Sequence, residues 1–147
     1  MKRKNGFTKM VMAIAMIVCL AFILPAQAKK VMSAKDFIAE CRQQIKEIKI
    51  ENARIMFDSG EWTFLDCRTD KEFKRGSVPN ATHMQRGMLE FKIEKKFPDK
   101  SAKIVVFCKS GSRSTLSVCT LTKMGYTNVV SLSGGWKKWV AEGHPVS

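Results

Sequence analysis

The chain has 147 residues and carries 26 Lys and Arg against 13 Asp and Glu, a formal net charge of +13. The basic residues are spread along the chain and form no patch interleaved with aromatic residues, which argues against nucleic-acid binding. The cysteines form no CxxC pair and share no ligand spacing with His83 or His144, which argues against a disulfide scaffold and against a metal site.

The sequence pattern of residues 1–28 is typical of a secretory signal peptide. A basic start is followed by the uncharged apolar run 10–24, then by Pro25 and the small-x-small sequence Ala26-Gln27-Ala28. The apolar run is shorter than the roughly 20 residues of a transmembrane helix. We therefore expect a periplasmic or secreted protein without stable membrane association after cleavage; an uncleaved N-terminal membrane anchor is the alternative.

Cleavage after Ala28 would leave a single domain, residues 29–147. Removing the four basic residues of the signal from the total of 26 leaves 22 basic against 13 acidic residues, a formal charge of +9. Such a balance suits nucleic acid, an anionic membrane surface or small anionic substrates, and export makes nucleic acid a poor candidate.

The sequence of residues 29–147 predicts strands that alternate with helices. In chain order the predicted elements are a helix over 33–46, a short β segment near 48–50, a helix over 52–59, a strand over 62–67, a helix over 70–74, an extended piece over 81–84, a helix over 87–97, a strand over 103–107, a helix over 112–124, a strand over 128–132 and a helix over 136–142. Ser33 with Asp36 forms a capping box at the first helix. The alternation predicts an α/β fold with a parallel sheet flanked by helices on both faces.

The loop between the most apolar strand and the helix after it begins with Cys108. It reads Cys108-Lys109-Ser110-Gly111-Ser112-Arg113. A loop of small residues at the end of a strand can turn its N–H groups inward, and the following helix directs its positive end to the same point. With Lys109 and Arg113, these groups lower a thiol pKa, so Cys108 is predicted to be a reactive thiolate rather than a structural cysteine.

Taken alone, these residues leave phosphate, arsenate and sulfur chemistry open. The wider sequence resembles the rhodanese family over nearly the whole of residues 29–147. The resemblance is carried by Leu65-Asp66-Cys67-Arg68 with Glu72-Phe73, by Gly76-Ser77-Val78-Pro79-Asn80-Ala81, by Met124-Gly125-Tyr126, by Gly134-Gly135-Trp136 and by Gly143-His144-Pro145-Val146. Ser77 and Asn80 depart from the family, which usually has His and Gly there.

The resemblance implies a rhodanese-like fold with about five strands and a thiosulfate sulfurtransferase that needs no cofactor. Sulfurtransferases of the family have four residues between Cys and Arg, as this chain has, whereas phosphatases of the same fold have one more. The smaller ring fits one extra sulfur on Cys108. The implied partners are a small anionic sulfur donor and an acceptor that is cyanide, a thiol or a protein. A persulfide carrier with little turnover, and a phosphatase or arsenate reductase, are the alternatives.

The remaining site residues receive roles from the same resemblance. Lys109, Ser110, Gly111, Ser112 and Arg113 are expected to bind substrate. Asp66, Arg68 and Glu72 are expected to support the site, with Arg68 paired to Glu72 or Asp66.

Four residues outside the loop complete these expectations. Arg86 precedes a helix near the site and is a candidate contact for substrate or partner. Cys67 is a candidate redox partner that could bridge to Cys108, or a small core residue. Cys41 and Cys119 lie on apolar helix faces and are expected to fill the core.

Overall fold

The computed structural model describes residues 31–147, so the predicted signal 1–28 lies outside the described residues. Five parallel strands form one sheet in the order β1-β5-β4-β2-β3. They are β1 (Glu47–Ile48), β2 (Thr63–Asp66), β3 (Thr82–His83), β4 (Ile104–Phe107) and β5 (Val129–Leu132). The predicted α/β fold with a five-stranded parallel sheet is confirmed, and β4, whose four residues are all buried, lies at the centre of the sheet.

Helices connect these strands. They are α1 (Ala34–Gln44), α2 (Ile50–Asp58), α3 (Asp70–Phe73), a 3-10 turn (Arg86–Met88), α4 (Leu89–Lys96), α5 (Ser112–Lys123) and α6 (Gly135–Ala141). The predicted capping box at α1 is present, because Ser33 accepts from the Asp36 N–H and Asp36 accepts from the Ser33 N–H. The segment predicted as one helix over 87–97 divides into the 3-10 turn and α4.

The core lies on both faces of the sheet, because successive side chains of a strand point to opposite faces. Ile104 and Val106 of β4 pack with residues of α4 and α5, and Val105 and Phe107 pack with residues of α2 and α6. Each fully buried aliphatic side chain contributes about 1.5–3 kcal/mol to folding. The predicted layers of helices on both faces are therefore present.

The register between β2 and β4 determines which residues lie side by side at the carboxyl ends of these strands. Asp66 pairs with Phe107, the last residue of each strand, so Cys67 and Cys108 follow side by side at the carboxyl edge of the sheet. The Cys67 N–H donates to the Phe107 carbonyl at 2.9 Å. Both cysteines face the α4 and α5 side. Parallel sheets bind ligands at this edge.

The large apolar residues of the 3-10 turn and helix α4 are not all buried. Of Met88, Phe91 and Ile93, only Ile93 is buried, together with Leu89 one turn earlier. Phe91 is 81% exposed. Residues four apart share a helix face and residue 91 lies on the opposite side, which accounts for the difference.

Within residues 31–147, no helix combines the length and the apolar character needed to cross a membrane.

Candidate active site

Cys108 lies directly after the central strand and is 1% exposed. The loop that follows it leads into α5, whose first residue is Ser112. Gly111 adopts φ of 109°, a conformation that side-chain-bearing residues avoid, and this turns its N–H back to the Cys108 Sγ at 3.2 Å. The predicted inward-facing loop is therefore observed at Gly111.

Serines hold the loop in this shape. The Ser114 Oγ donates to the Gly111 carbonyl at 2.7 Å, and the Ser131 Oγ of β5 donates to the Ser114 Oγ at 3.0 Å. Both serines are fully buried. The hydroxyls thus satisfy buried polar groups and fasten the loop to the neighbouring strand.

The surroundings of Cys108 lower its pKa to about 5. The hydrogen bond from the Cys67 thiol has the largest effect, burial acts in the opposite direction, and the N–H groups of Ser114, Ser110 and Gly111 each lower the pKa further. Hydrogen bonds to the charged form of a group favour that form. Cys108 is consequently a thiolate at neutral pH.

Cys67 is the complementary half of this pair. Its pKa is raised well above the ordinary value by the hydrogen bond to Cys108, by burial and by the nearby Cys108 charge. Cys67 therefore stays protonated and acts as the donor. All four described cysteines are free thiols in the structure, so the Cys67–Cys108 bridge stays a prediction. Sequence reasoning missed the donor role of Cys67, because an S–H donor cannot be recognised without its acceptor.

Arg113 is directed toward Glu72. Its two terminal nitrogens donate to the two carboxylate oxygens at 2.8 Å each. This contact lowers the pKa of Glu72 far below its ordinary value and raises that of Arg113. Glu72 also closes the capping box of α3 with Thr69. Of the two partners expected for Arg68, Glu72 is thus taken by Arg113, and the supporting role of Glu72 stays a prediction.

Arg68 and Asp66 form a buried ion pair, with Arg68 Nη2 2.6 Å from Asp66 Oδ2. Arg68 also donates to the Gly76 carbonyl at 2.7 Å. Ser77, which replaces the usual histidine of the family, donates to Asp66 at 2.8 Å. Asn80, which replaces the usual glycine, adopts φ of 60°, a conformation that asparagine tolerates. The two residues that differ from the family pattern, Ser77 and Asn80, therefore fit their positions without a change in the surrounding fold.

The start of α6 supports the loop from the opposite side. The Trp136 N–H donates to the Cys108 carbonyl at 2.7 Å, and the Lys137 N–H donates to the Lys109 carbonyl at 3.0 Å. A Cβ at Gly135 would collide with the Cys108 carbonyl, so only glycine permits this approach. The Gly134-Gly135 pair in the sequence is a signal for such a close backbone approach. The sequence did not indicate that the approach is to the Cys108 loop.

The remaining residues that were predicted to bind substrate differ in their exposure to solvent. Lys109, Ser110 and Ser112 are exposed. Arg86 is half-buried, pairs with Glu90 at 2.7 Å and donates to the Thr120 hydroxyl at 3.1 Å. Its contact with substrate or partner stays a prediction.

Most of the chain is similar to one known protein family. The model of the rhodanese-like domain matches residues 50–142. The Bacillus subtilis protein YtwF, named as a candidate sulfurtransferase, is 34% identical over 104 residues, which cover 69% of this chain and 97% of YtwF. A sulfurtransferase of Allochromatium vinosum is 27% identical over 103 residues, covering 69% and 94% of the two chains.

A solved structure from Rhodopseudomonas palustris is also similar. It has a TM-score of 0.75 and 28% identity, and the match covers 81% of this chain and 97% of that one. That protein is described as having unknown function and as a possible tyrosine phosphatase. The shared fold therefore hosts more than one proposed chemistry.

Proposed function

Because the chain belongs to the rhodanese-like domain family, we propose that it is an exported sulfurtransferase that moves sulfane sulfur through a persulfide on Cys108. The donor is of the thiosulfate type and the acceptor is thiophilic. One observation carries the proposal: a thiolate, Cys108, lies in a loop that leaves four residues before Arg113. Export is supported by the signal pattern of residues 1–28.

The reaction consists of two displacements at sulfur. The Cys108 thiolate attacks the outer sulfur of thiosulfate, a sulfur–sulfur bond forms, and the bond to the inner sulfur breaks so that sulfite leaves with its electron pair. An acceptor such as cyanide then attacks the terminal persulfide sulfur, and the Cys108 thiolate leaves. No general base is required, because the nucleophile is already deprotonated.

The contacts suggest different roles for the two cations of the loop. Lys109 is exposed and free to attract an anionic donor. Arg113 is held by Glu72 and keeps the loop in shape, although its remaining charge still favours an anion nearby. The loop N–H groups that now face Cys108 would also stabilise the outer sulfur of the persulfide.

A phosphatase is the second candidate, and the similarity to the Rhodopseudomonas palustris protein favours it. The four-residue spacing between Cys108 and Arg113 speaks against it, since a tetrahedral phosphate beside a thiolate needs a wider ring of N–H groups.

The test is intact mass spectrometry after incubation with thiosulfate, followed by a thiosulfate:cyanide assay. The wild-type protein should gain one sulfur and produce thiocyanate, the Cys108→Ser variant should do neither, and the Cys41→Ser variant should match the wild type. A wild-type protein that gains no sulfur would contradict the proposal. Sulfur gain without turnover would indicate a carrier, and hydrolysis of an aryl phosphate would indicate the phosphatase.

A further inference from the structure

Strand β3 forms one edge of the sheet and has a free side. The Met84 N–H, directly after the strand, donates to the Asp66 carbonyl of β2 at 2.9 Å. Successive N–H groups of an extended chain point in opposite directions, so the His83 N–H points away from β2, to the side where the sheet has no further strand. Among residues 31–147, we find no hydrogen-bond partner for this N–H. An edge of this kind can pair with another extended chain.

A surface groove of about 650 Å³ lies between this edge and helix α4. Besides β3 itself, its lining consists of one buried apolar residue, one exposed aromatic residue and three lysines: Met84, Phe91, Lys92, Lys95 and Lys96. A smaller hollow of about 210 Å³ shares His83, Met84 and Lys92 with the groove and adds the exposed Met88. Large apolar side chains that are exposed together beside a groove are typical of an interaction site. The groove thus accounts for the exposure of Phe91.

The groove carries a positive charge that its own surroundings do not neutralise. Its three lysines are exposed, and within the described part of the chain none of them belongs to an ion pair. The two glutamates of α4 form ion pairs with Arg86 and Lys100 instead. The acidic residue that lines the smaller hollow, Asp70, lies 3.5 Å from the His83 ring. The chain as a whole is also basic, so the groove favours an acidic occupant.

We propose that the groove binds an extended acidic segment of a partner protein, which pairs with β3 as an additional strand. The free backbone of β3 suits a polypeptide, because main-chain hydrogen bonds can continue the sheet. Acidic side chains of the segment would meet the lysines, and an apolar side chain would cover Phe91. A second copy of this chain fits less well, because its own groove presents the same lysines. A lipid fits less well, because it would cover the His83 N–H without bonding to it.

The groove lies near Cys108. Met84 of the groove belongs to the same buried cluster as Cys67 and Cys108. In the sheet, β2 alone separates β3 from β4, and neighbouring strands are about 4.8 Å apart, so β3 is roughly 10 Å from the strand that ends at Cys108. A segment paired with β3 would therefore bring a protein acceptor of sulfur close to the Cys108 loop. This last step rests on the proposed function, whereas the binding of the segment does not.

Fluorescence anisotropy with the full-length protein tests the binding. The probe is a short labelled peptide that alternates glutamate and valine, and the control peptide has lysine in place of each glutamate. The acidic peptide should bind, more weakly as salt screens the charges, and the basic peptide should not. Cys108→Ser should bind the acidic peptide as tightly as the wild type, so a failure of the proposed sulfur chemistry would leave this result unchanged. Wild-type protein that does not bind the acidic peptide would overturn the proposal.

Substitutions at exposed positions locate the binding on the surface. Phe91→Ala should weaken binding of the acidic peptide about tenfold, and Lys92→Glu about fivefold. Ile55→Ala removes an exposed apolar side chain from α2, and Lys49→Glu makes the same charge change after β1, at the opposite edge of the sheet. Both controls should bind like the wild type. Equal weakening by the groove and control variants would show a general attraction to a basic protein and would contradict the proposal.

Hydrogen exchange followed by NMR tests the strand pairing itself. The His83 amide should exchange more slowly in the complex with the acidic peptide, and unchanged exchange would refute pairing at β3. Sedimentation and vesicle binding identify the other possible occupants. A wild-type dimer that Phe91→Ala dissociates would assign the groove to a second copy. Binding to vesicles of anionic phospholipid that Phe91→Ala abolishes, without binding of the peptide, would assign it to a membrane. Either result would overturn the proposal.

Discussion

At the scale of single residues, the reactivity of Cys108 depends on a partner that is itself a cysteine. An ordinary cysteine has a pKa near 8.5, and burial alone would raise it. The hydrogen bond from Cys67 and the N–H groups of the loop outweigh the burial of Cys108. In the proposed reaction Cys67 would therefore activate Cys108, in addition to being a candidate redox partner.

Replacing Cys67 by alanine should raise the pKa of Cys108. A hydrogen bond to a charged group contributes about 1.5–3 kcal/mol, which corresponds to a rise of roughly 1–2 pKa units. Alkylation by iodoacetamide should then slow at pH 6, where the variant holds less thiolate, and remain unchanged at pH 9.5. Cys67→Ser is the matched control, because its hydroxyl can still donate, and its profile should stay closer to that of the wild type. Identical profiles for all three proteins would refute the donor role.

At the scale of elements, the ion pair between Glu72 and Arg113 connects α3 to the start of α5. The two residues are 41 positions apart in sequence, and both are partly exposed. Their contact anchors the loop that carries Cys108. Glu72→Gln keeps the size and polarity of the side chain and removes its charge.

The Glu72→Gln variant should be less stable than the wild type by about 1 kcal/mol at pH 7, a value reduced for solvent exposure. The pKa of Glu72 is lowered in the folded protein, so the stabilisation is complete above the unfolded value of about 4.3 and is lost as the pH falls below it. Urea unfolding at pH 7 and pH 3 should show the difference between the two proteins shrinking at the lower pH. A constant difference would contradict an electrostatic origin.

Gly135 provides the second test at this scale. Alanine there would adopt φ of 55° and press against the Cys108 carbonyl, at a cost of about 1–3 kcal/mol. Gly135→Ala should lower the unfolding temperature and impair sulfur loading of Cys108. Gly87→Ala is the control, since open space surrounds that position and its φ is not left-handed, and it should change neither. Equal effects of the two substitutions would argue against the close approach.

The elements also show how far the sequence predicts this protein. Apolar runs and turn residues predicted each strand and helix within a few residues, because they report local conformation and burial. The residues of the loop after β4 predicted where the chemistry lies, and the resemblance to the rhodanese family narrowed that predicted chemistry to sulfur. The pairing of Glu72 with Arg113 and the exposure of Phe91 were not predicted. The first is a tertiary contact, and the second depends on which helix face meets the sheet.

At the scale of the whole molecule, the predicted destination of the chain decides which thiol chemistry it meets. An exported protein would encounter disulfides and other oxidants, to which the Cys108 thiolate is a susceptible group. The rest of the domain, residues 29–147, would keep a formal charge of +9, which attracts anionic sulfur donors.

Cleavage of the proposed signal peptide would depend on Ala26 and Ala28, because the signal peptidase accepts small residues at those positions. Expression of the full-length chain in a bacterium should yield periplasmic protein whose mass corresponds to residues 29–147 and whose N-terminal sequence begins at Lys29. Ala28→Phe places a bulky side chain at the cleavage position and should leave a longer, membrane-held chain. Ala34→Phe, six residues beyond, is the control and should be cleaved normally. Wild-type protein recovered at full length in the membrane fraction would instead establish an uncleaved anchor.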